Sequence, residues 1–352
     1  MNEIDDKTNI LNSWLINYLK DEPQKVSSLK GDASFRQYYR VQSVHGNLIA
    51  MASPNISEPI LPFVSIANSW HKQGIAVPKV LHYNLKLGFA LLSDFGDVLL
   101  QDKLDKSTVD AYYKNALELL PAIQSASRTK DYNYPLFDEK HIYLELSYFK
   151  EWFITQLLQL EMSAAESKML ELFFAQLVDI CLQQPQVVIH RDYHSRNLMV
   201  LENNVLGILD FQDAMLGPIT YDAVSLLRDC YIDWPIASVY RWLTHFYEVC
   251  YESQLERYSF QQFQEWFDKA GLQRHIKVLG IFSRLKIRDG KAGYLKDIPR
   301  ILNYVLQVTA QYPQLQHFEQ WFITRVIPRW EEYFASMTAS SQTLAYQQAG
   351  SA

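Results

Sequence analysis

The sequence predicts an α+β protein of two lobes, a small antiparallel β lobe followed by a large, mostly helical one. Three observations predict it. Short β-branched and aromatic runs, separated by turn residues, crowd into the first 95 residues. From Leu99 onward, apolar residues recur at helical spacing almost to the end. The exception is the stretch 187–214, where two short apolar runs each feed a polar segment. The expected division is residues 1–95, residues 96–338, and a Ser/Gln/Ala-rich tail, 339–352, that lacks a core face and frays.

Periodicity and turn residues set the order of elements. Residues 7–20 carry Ile10, Leu11, Trp14, Leu15, Tyr18 and Leu19 at helical spacing, which predicts an opening amphipathic helix. Leu29 to Val41 reads as strand, turn and strand, the turn being Gly31-Asp32-Ala33-Ser34. A third strand, Leu48 to Ala52, follows His45-Gly46-Asn47 and ends at Ser53-Pro54. Residues 57–73 read as a helix bearing Ile60, Leu61, Val64, Ile66, Ala67 and Trp70. Val77 to Tyr83 and Phe89 to Leu92 give two more strands. Helices are expected near 108–126, 141–160, 164–184, 219–231, 236–254, 259–271, 275–287, 297–312 and 314–337.

The segment with chemistry is Val187-Val188-Ile189 leading into His190-Arg191-Asp192-Tyr193-His194-Ser195-Arg196-Asn197, then Val205 to Leu209 leading into Asp210-Phe211-Gln212-Asp213. Phosphoryl transfer from ATP needs a carboxylate that orients the acceptor hydroxyl and oxygen ligands for magnesium. Asp192 is the candidate for the first task. Asn197, five residues on, and Asp210, at the next strand end, are the candidates for Mg2+. Protein-kinase catalytic loops space base and asparagine the same way. Taken singly, His190 fits a core histidine and Asp210 a strand-end turn; the joint pattern favours chemistry. A zinc reading of His190 and His194 at i, i+4 needs a helix and a third ligand. The β-branched run before His190 predicts instead a loop after a strand.

Bulk properties narrow the class. The 352 residues suffice for two lobes with a core each, and 48% apolar with 20% charged residues is ordinary for a globular chain. A net charge of −6 without a basic run argues against nucleic acid. Three scattered cysteines, Cys181, Cys230 and Cys250, argue against a disulfide scaffold and for a reducing cytoplasm. The acidic start Met1-Asn2-Glu3-Ile4-Asp5-Asp6 is not a signal peptide, and no apolar run is long enough for a membrane span. A monomer is expected.

Further motifs are Gly31-Asp32-Ala33-Ser34-Phe35-Arg36, the connector Leu92-Ser93-Asp94-Phe95-Gly96-Asp97, Glu145 with Glu151-Trp152-Phe153, Ser225-Leu226-Leu227-Arg228-Asp229-Cys230-Tyr231, Gly280-Ile281-Phe282-Ser283-Arg284-Leu285, and Arg288-Asp289-Gly290-Lys291. With the catalytic segment, these resemble the aminoglycoside phosphotransferase (choline kinase-like) superfamily over nearly the whole chain. Within it they are most similar to the bacterial kinases that phosphorylate the anomeric hydroxyl of N-acetylmuramate and N-acetylglucosamine in peptidoglycan recycling. The resemblance implies a protein-kinase-like bilobal fold, ATP and Mg2+, and an amino-sugar acceptor.

Each motif also has a physical reading. Backbone N–H groups of the turn Gly31 to Ser34, with the Ser34 hydroxyl, would cradle ATP phosphates, unless the turn is an ordinary hairpin. Arg36 would reach a phosphate or sit on a solvated face. Leu92 and Asp94, in the connector, would hold adenine through backbone groups. The Asp94-Phe95-Gly96 tripeptide precedes the catalytic loop, so Asp94 and Asp97 read as turn and N-cap residues, and the metal goes to Asp210. Glu145, Arg228, Asp229, Arg288 and Asp289 would line an amino-sugar pocket, because charges set against apolar helices need partners. The rival reading is a structural ion-pair network.

One expected residue is missing. Kinase small lobes carry a lysine on the third strand, paired to ATP phosphates and a helix glutamate. Here that strand is Leu48-Ile49-Ala50-Met51-Ala52, and Glu58 has no lysine to pair with. Either Arg36 or Lys30 substitutes, or the protein is a degenerate nucleotide-binding pseudokinase. Another hydroxylated amine, such as an aminoglycoside, choline or homoserine, is the remaining alternative acceptor.

Overall fold

The computed structural model describes residues 3–29, 36–44, 46–53, 60–126 and 132–337. The turn candidates Gly31, Asp32, Ala33 and Ser34, together with Lys30, Glu58 and the tail 339–352, lie outside the described residues.

The chain opens with α1 (Glu3–Leu19), β1 (Lys25–Leu29), β2 (Gln37–Ser43), β3 (Gly46–Ala52), α2 (Leu61–Lys72), β4 (Val80–Asn84) and β5 (Phe89–Ser93). The five strands form one antiparallel sheet in the order β1-β2-β3-β5-β4. Strand side chains alternate between faces, and the two faces do different work. Leu11, Trp14, Leu15 and Leu19 of α1 bury themselves on Val41, Ala50, Phe89 and Leu91. Each such side chain contributes roughly 1.5–3 kcal/mol on leaving water. The opposite face carries the row Ser27, Arg40, Ile49 and Leu92, matched across β1, β2, β3 and β5. Met51 lies one step along that face, between Tyr38 and Ala90. It is fully buried, so an apolar side chain fills the place where lysine was expected.

By internal packing the chain divides into two compact units. The first comprises residues up to Pro135 together with Val187–Leu216, and the second the rest. The expected lobe boundary at 95/96 falls inside the first unit, because the connector packs on the catalytic hairpin. Phe95 lies on Gly207 so closely that a Cβ there would meet its ring at 2.7 Å. Beyond it, Leu99 bridges to Met199. The first unit also holds α3 (Val109–Gln124).

The second unit is helical, with α4 (Glu139–Tyr148), α5 (Ala164–Leu182), α6 (Tyr221–Leu227), α7 (Ile236–Cys250), α8 (Phe260–Ile287), α9 (Ile298–Thr309) and α10 (Gln316–Trp321). Asp138 caps α4, and Ser163 with Glu166 forms a capping box on α5. Several expectations need correction; the helices expected over 236–254 and 314–337 run into π turns at Tyr251–Leu255 and Phe322–Val326, and three others differ more. The helix expected over 141–160 ends at Tyr148 and continues as a π turn, Phe149–Leu157. The helix expected over 219–231 stops at Leu227. The two helices expected over 259–271 and 275–287 are one 28-residue helix, α8. Gly271 does not break it: a Cβ there would touch Val224 of α6 at 3.4 Å, so the glycine serves close helix approach. Among the described residues no helix is long and apolar enough to cross a membrane.

Candidate active site

The candidate catalytic segment is built on β6 (Gln186–Ile189), β7 (Leu198–Val200) and β8 (Leu206–Ile208), with β9 (Met215–Pro218) beside β6. The hairpin pairs Leu198 with Ile208, Met199 with Gly207 and Val200 with Leu206. At its end the Leu209 N–H donates to the Asn197 carbonyl at 2.9 Å. That one bond sets Asn197 beside the residue preceding Asp210. Asn197 is tied in turn to the loop: its Nδ2 donates to the Asp192 carbonyl at 2.9 Å. Because that carbonyl only accepts, the amide nitrogen faces Asp192 and Oδ1 remains an acceptor. Asn197 is thus tied to Asp192 directly, and to Asp210 through the neighbouring Leu209. His190 and His194 lie in the loop between β6 and β7, not on a helix, so the zinc reading loses its geometry.

His190 is a core histidine with a defined task. Its Nε2 lies 2.7 Å from the Leu209 carbonyl and therefore donates. Nδ1 is left to accept the Asp192 N–H, at 3.3 Å. One buried imidazole thus links the two ends of the site, just before Asp192 and just before Asp210. The loop is also held by Tyr193, whose hydroxyl donates to the Ala116 carbonyl at 2.8 Å. Arg196 donates from Nε to Gln101 at 2.8 Å. Arg191 and Asp210 both adopt left-handed backbone, with φ of 77° and 61°. For a residue with a Cβ that costs about 1–2 kcal/mol, and such strain concentrates at functional sites. Phe211 offsets it by burial, stacking on Phe63 at 4.8 Å and tilting against Trp70 at 5.6 Å. Burial and the nearby Asp213 charge push the Tyr132 phenol up, against Arg191.

Asp210 is exposed, and its Oδ1 accepts from Gln212 Nε2 at 2.7 Å. Gln212 is itself buried, and its Oε1 has no partner among the described residues. The donor set at this end is all oxygen, from Asp210 carboxylate and Asn197 amide, which suits magnesium rather than a softer ion.

In the connector Asp94 is a turn residue, as expected, whereas Asp97 caps no helix. Asp94 Oδ1 accepts the Gly96 N–H at 2.8 Å, a turn that Gly96 permits at φ 79°. Both acids chelate Arg40. Leu92 lies within β5, paired to Ile49 and Val80.

The acceptor candidates lie in the second unit, where α8 supplies their partners. Glu145 is buried and pairs with Lys277 at 3.1 Å, while Gln273 donates to its Oε2 at 3.2 Å. Lys277 also donates to the Tyr221 hydroxyl at 3.2 Å. Arg228 donates to Gln307 at 2.8 Å, lies 3.9 Å from Asp268 and sits over the Tyr304 ring. Asp229 is fully buried and accepts the Tyr231 N–H at 2.8 Å. Arg288 and Asp289 pair with each other near the surface, just past α8. Burial raises the Asp268 carboxyl, while Tyr312, Arg228 and Tyr240 hold it down.

Sequence reasoning gave no role to Arg40, Gln212, Gln273 or Lys277. Gln212 had a usable signal, being two residues past the metal candidate. Arg40 and Lys277 had none, since their partners lie 54 and 132 residues away in sequence.

Comparison with known proteins follows the same lines. Residues 25–260 match the phosphotransferase enzyme family. The N-acetylmuramate/N-acetylglucosamine kinase of Pseudomonas aeruginosa is 35% identical over 316 residues, 87% of this chain and 93% of that protein. The kinase of the same name from Neisseria meningitidis is 34% identical, covering 87% of this chain and 92% of its own length. Among solved structures, an ethanolamine kinase of Plasmodium vivax superposes with a TM-score of 0.60 at 11% identity, over 80% of this chain and 82% of that one. That likeness concerns the fold.

Proposed function

The chain belongs to the phosphotransferase enzyme family, and we propose that within it this protein is an ATP-dependent kinase phosphorylating the anomeric hydroxyl of N-acetylmuramate and N-acetylglucosamine. The observation that carries the reading is the hairpin end, where the Asn197 side chain holds the Asp192 carbonyl and the Leu209 N–H, next to Asp210, holds the Asn197 carbonyl, in a chain 35% identical to a kinase of that name. Asp192 orients the sugar hydroxyl and takes its proton as the hydroxyl oxygen attacks the γ-phosphorus, and ADP leaves. Asn197 Oδ1 and the Asp210 carboxylate would hold magnesium, which supplies charge neutralisation to the ATP phosphates. Gln212 keeps Asp210 in place, and His190 fixes the spacing of the two acids. The connector backbone holds adenine, and Arg36 reaches the phosphates. The product serves cell-wall recycling in the cytoplasm.

Glu145, Arg228, Asp229, Arg288 and Asp289 are proposed to bind the sugar. Asp229→Asn tests this. The asparagine keeps an acceptor oxygen for the Tyr231 N–H, so the turn survives. We expect the KM for N-acetylglucosamine to rise severalfold with the melting temperature held. A melting point several degrees lower with unchanged KM would make Asp229 structural.

The second reading, a nucleotide-binding protein without turnover, rests on buried Met51 in place of lysine. ATP consumption against N-acetylmuramate, N-acetylglucosamine, glucosamine, kanamycin and choline separates the readings. Turnover only with the two N-acetyl sugars is expected. No turnover with measurable ATP binding would favour the second.

A further inference from the structure

We propose that Arg40 is the positioning residue of the nucleotide site, holding the connector Asp94 to Asp97 in the geometry that receives the base. The inference rests on the kinase reading above. Its support is geometric. Arg40 stands on β2 directly opposite Ile49 of β3, on the sheet face that also carries Met51 and Leu92. Neighbouring strands lie about 4.8 Å apart, so Arg40 is the cation beside the β3 positions where the lysine was expected. Its guanidinium is spent on the connector. Nε and Nη2 donate to the two oxygens of Asp94, at 2.6 and 3.1 Å. Nη1 donates to both oxygens of Asp97, at 2.7 and 2.9 Å, and Nη2 reaches the Gly96 carbonyl at 3.0 Å.

Two features make this more than a surface ion pair. Paired forks of this kind fix direction as well as distance, and the Arg40 and Asp94 side chains are only 17% and 7% exposed. Asp97, by contrast, is 77% exposed, so nothing in packing requires it to stand there. Two acids and a carbonyl converge on one arginine, and between them they fix the backbone of a four-residue segment that is shaped further, among the described residues, by the Asp94–Gly96 turn. A backbone that reads a base by hydrogen bonds must be preorganised, because loosening it costs affinity and discrimination together.

The test compares the parent with Arg40→Gln, Arg40→Lys and Asp97→Asn, using N-acetylglucosamine as acceptor and ATP or GTP as donor. For Arg40→Gln the expected result is a KM for ATP about tenfold higher, kcat within about twofold, and an ATP-over-GTP preference reduced by a similar factor. Arg40→Lys should recover part of this, since lysine keeps the charge but not the fork. Asp97→Asn, a surface change that leaves folding intact, should raise the KM by about two- to threefold. Unchanged KM and unchanged base preference in Arg40→Gln, or in Asp97→Asn if the former does not fold, overturns the proposal and leaves a structural tie. A fall in kcat without a change in KM overturns it too, because Arg40 would then act on transfer itself. A parent that binds no ATP sinks the kinase reading and this inference with it; a parent that turns over ATP, with variants unchanged, sinks this inference alone.

Discussion

At Asp192 the chain puts a carboxylate on a loop fixed through its backbone, so changing the side chain should leave the loop standing. The Asp192 carbonyl accepts from Asn197 Nδ2 and the His194 N–H, and its own N–H donates to His190. Asp192→Asn keeps these three bonds and removes the proton acceptor. Turnover should fall by ~10²–10⁴-fold, the usual worth of general-base assistance, with ATP binding nearly unchanged; activity within twofold of the parent would reject the role. Asp210→Ala removes an exposed carboxylate held by Gln212. It should weaken MgATP binding more than Asp192→Asn does, because the phosphate charge loses a counter-ligand. Calorimetric titration of MgATP into both variants decides it, and equal affinities would count against Asp210 as a metal ligand.

At the scale of elements, two glycines of α8 make opposite predictions. A Cβ on Gly280 would lie 2.3 Å from the Tyr148 carbonyl carbon and 2.5 Å from the Phe149 nitrogen, both backbone atoms. Neither can move without shifting the end of α4, so Gly280→Ala should destabilise by at least the ~1–3 kcal/mol of ordinary overpacking. Gly271→Ala meets Val224 methyls at 3.4 and 3.7 Å and the His275 ring at 4.0 Å, all ordinary contacts, and the ~1 kcal/mol gain in helix propensity offsets them. Denaturant unfolding should rank Gly280→Ala well below Gly271→Ala; the reverse order would reject the packing account. The same helix shows what the sequence discloses. Periodicity and turn residues announce β3 from Leu48 to Ala52 and the catalytic hairpin, because those signals are local. That Gly271 continues α8 was hidden, since a breaker and a close-packing glycine look alike until Val224 is placed. Glu145 could be picked out as a charged residue, but Lys277 and Gln273 meet it only once α4 and α8 pack. Arg40 was invisible for the same reason.

Over the whole molecule, the second unit is organised around a helix that buries ionisable groups, and this should set its response to acid. Asp268, Arg274, His275 and Lys277 of α8 are all buried. His275 is the one among them best suited to report pH. Its Nε2 donates to the Arg228 carbonyl at 3.1 Å, its ring stacks on Tyr304 at 4.8 Å, and its Nδ1 has no partner among the described residues. Burial pushes its pKa down to about 3, and the Arg274 and Arg228 charges act in the same direction. In the unfolded chain the ring titrates near the ordinary value of about 6.5. Between those values the unfolded state binds a proton that the folded state refuses. Stability therefore rises with pH through this window: the contribution is complete above about 6.5 and is lost as pH falls toward 3. One such group contributes a slope of up to about 1.4 kcal/mol per pH unit. Replacing it by a side chain that cannot titrate removes the slope whatever it does to packing. We therefore expect His275→Gln to melt lower than the parent at pH 7.5 and to lose less of its melting temperature between pH 6.5 and 4.5. Melting curves across that range measure both quantities, and parallel profiles for parent and variant would show that the proton His275 excludes plays no part in acid unfolding.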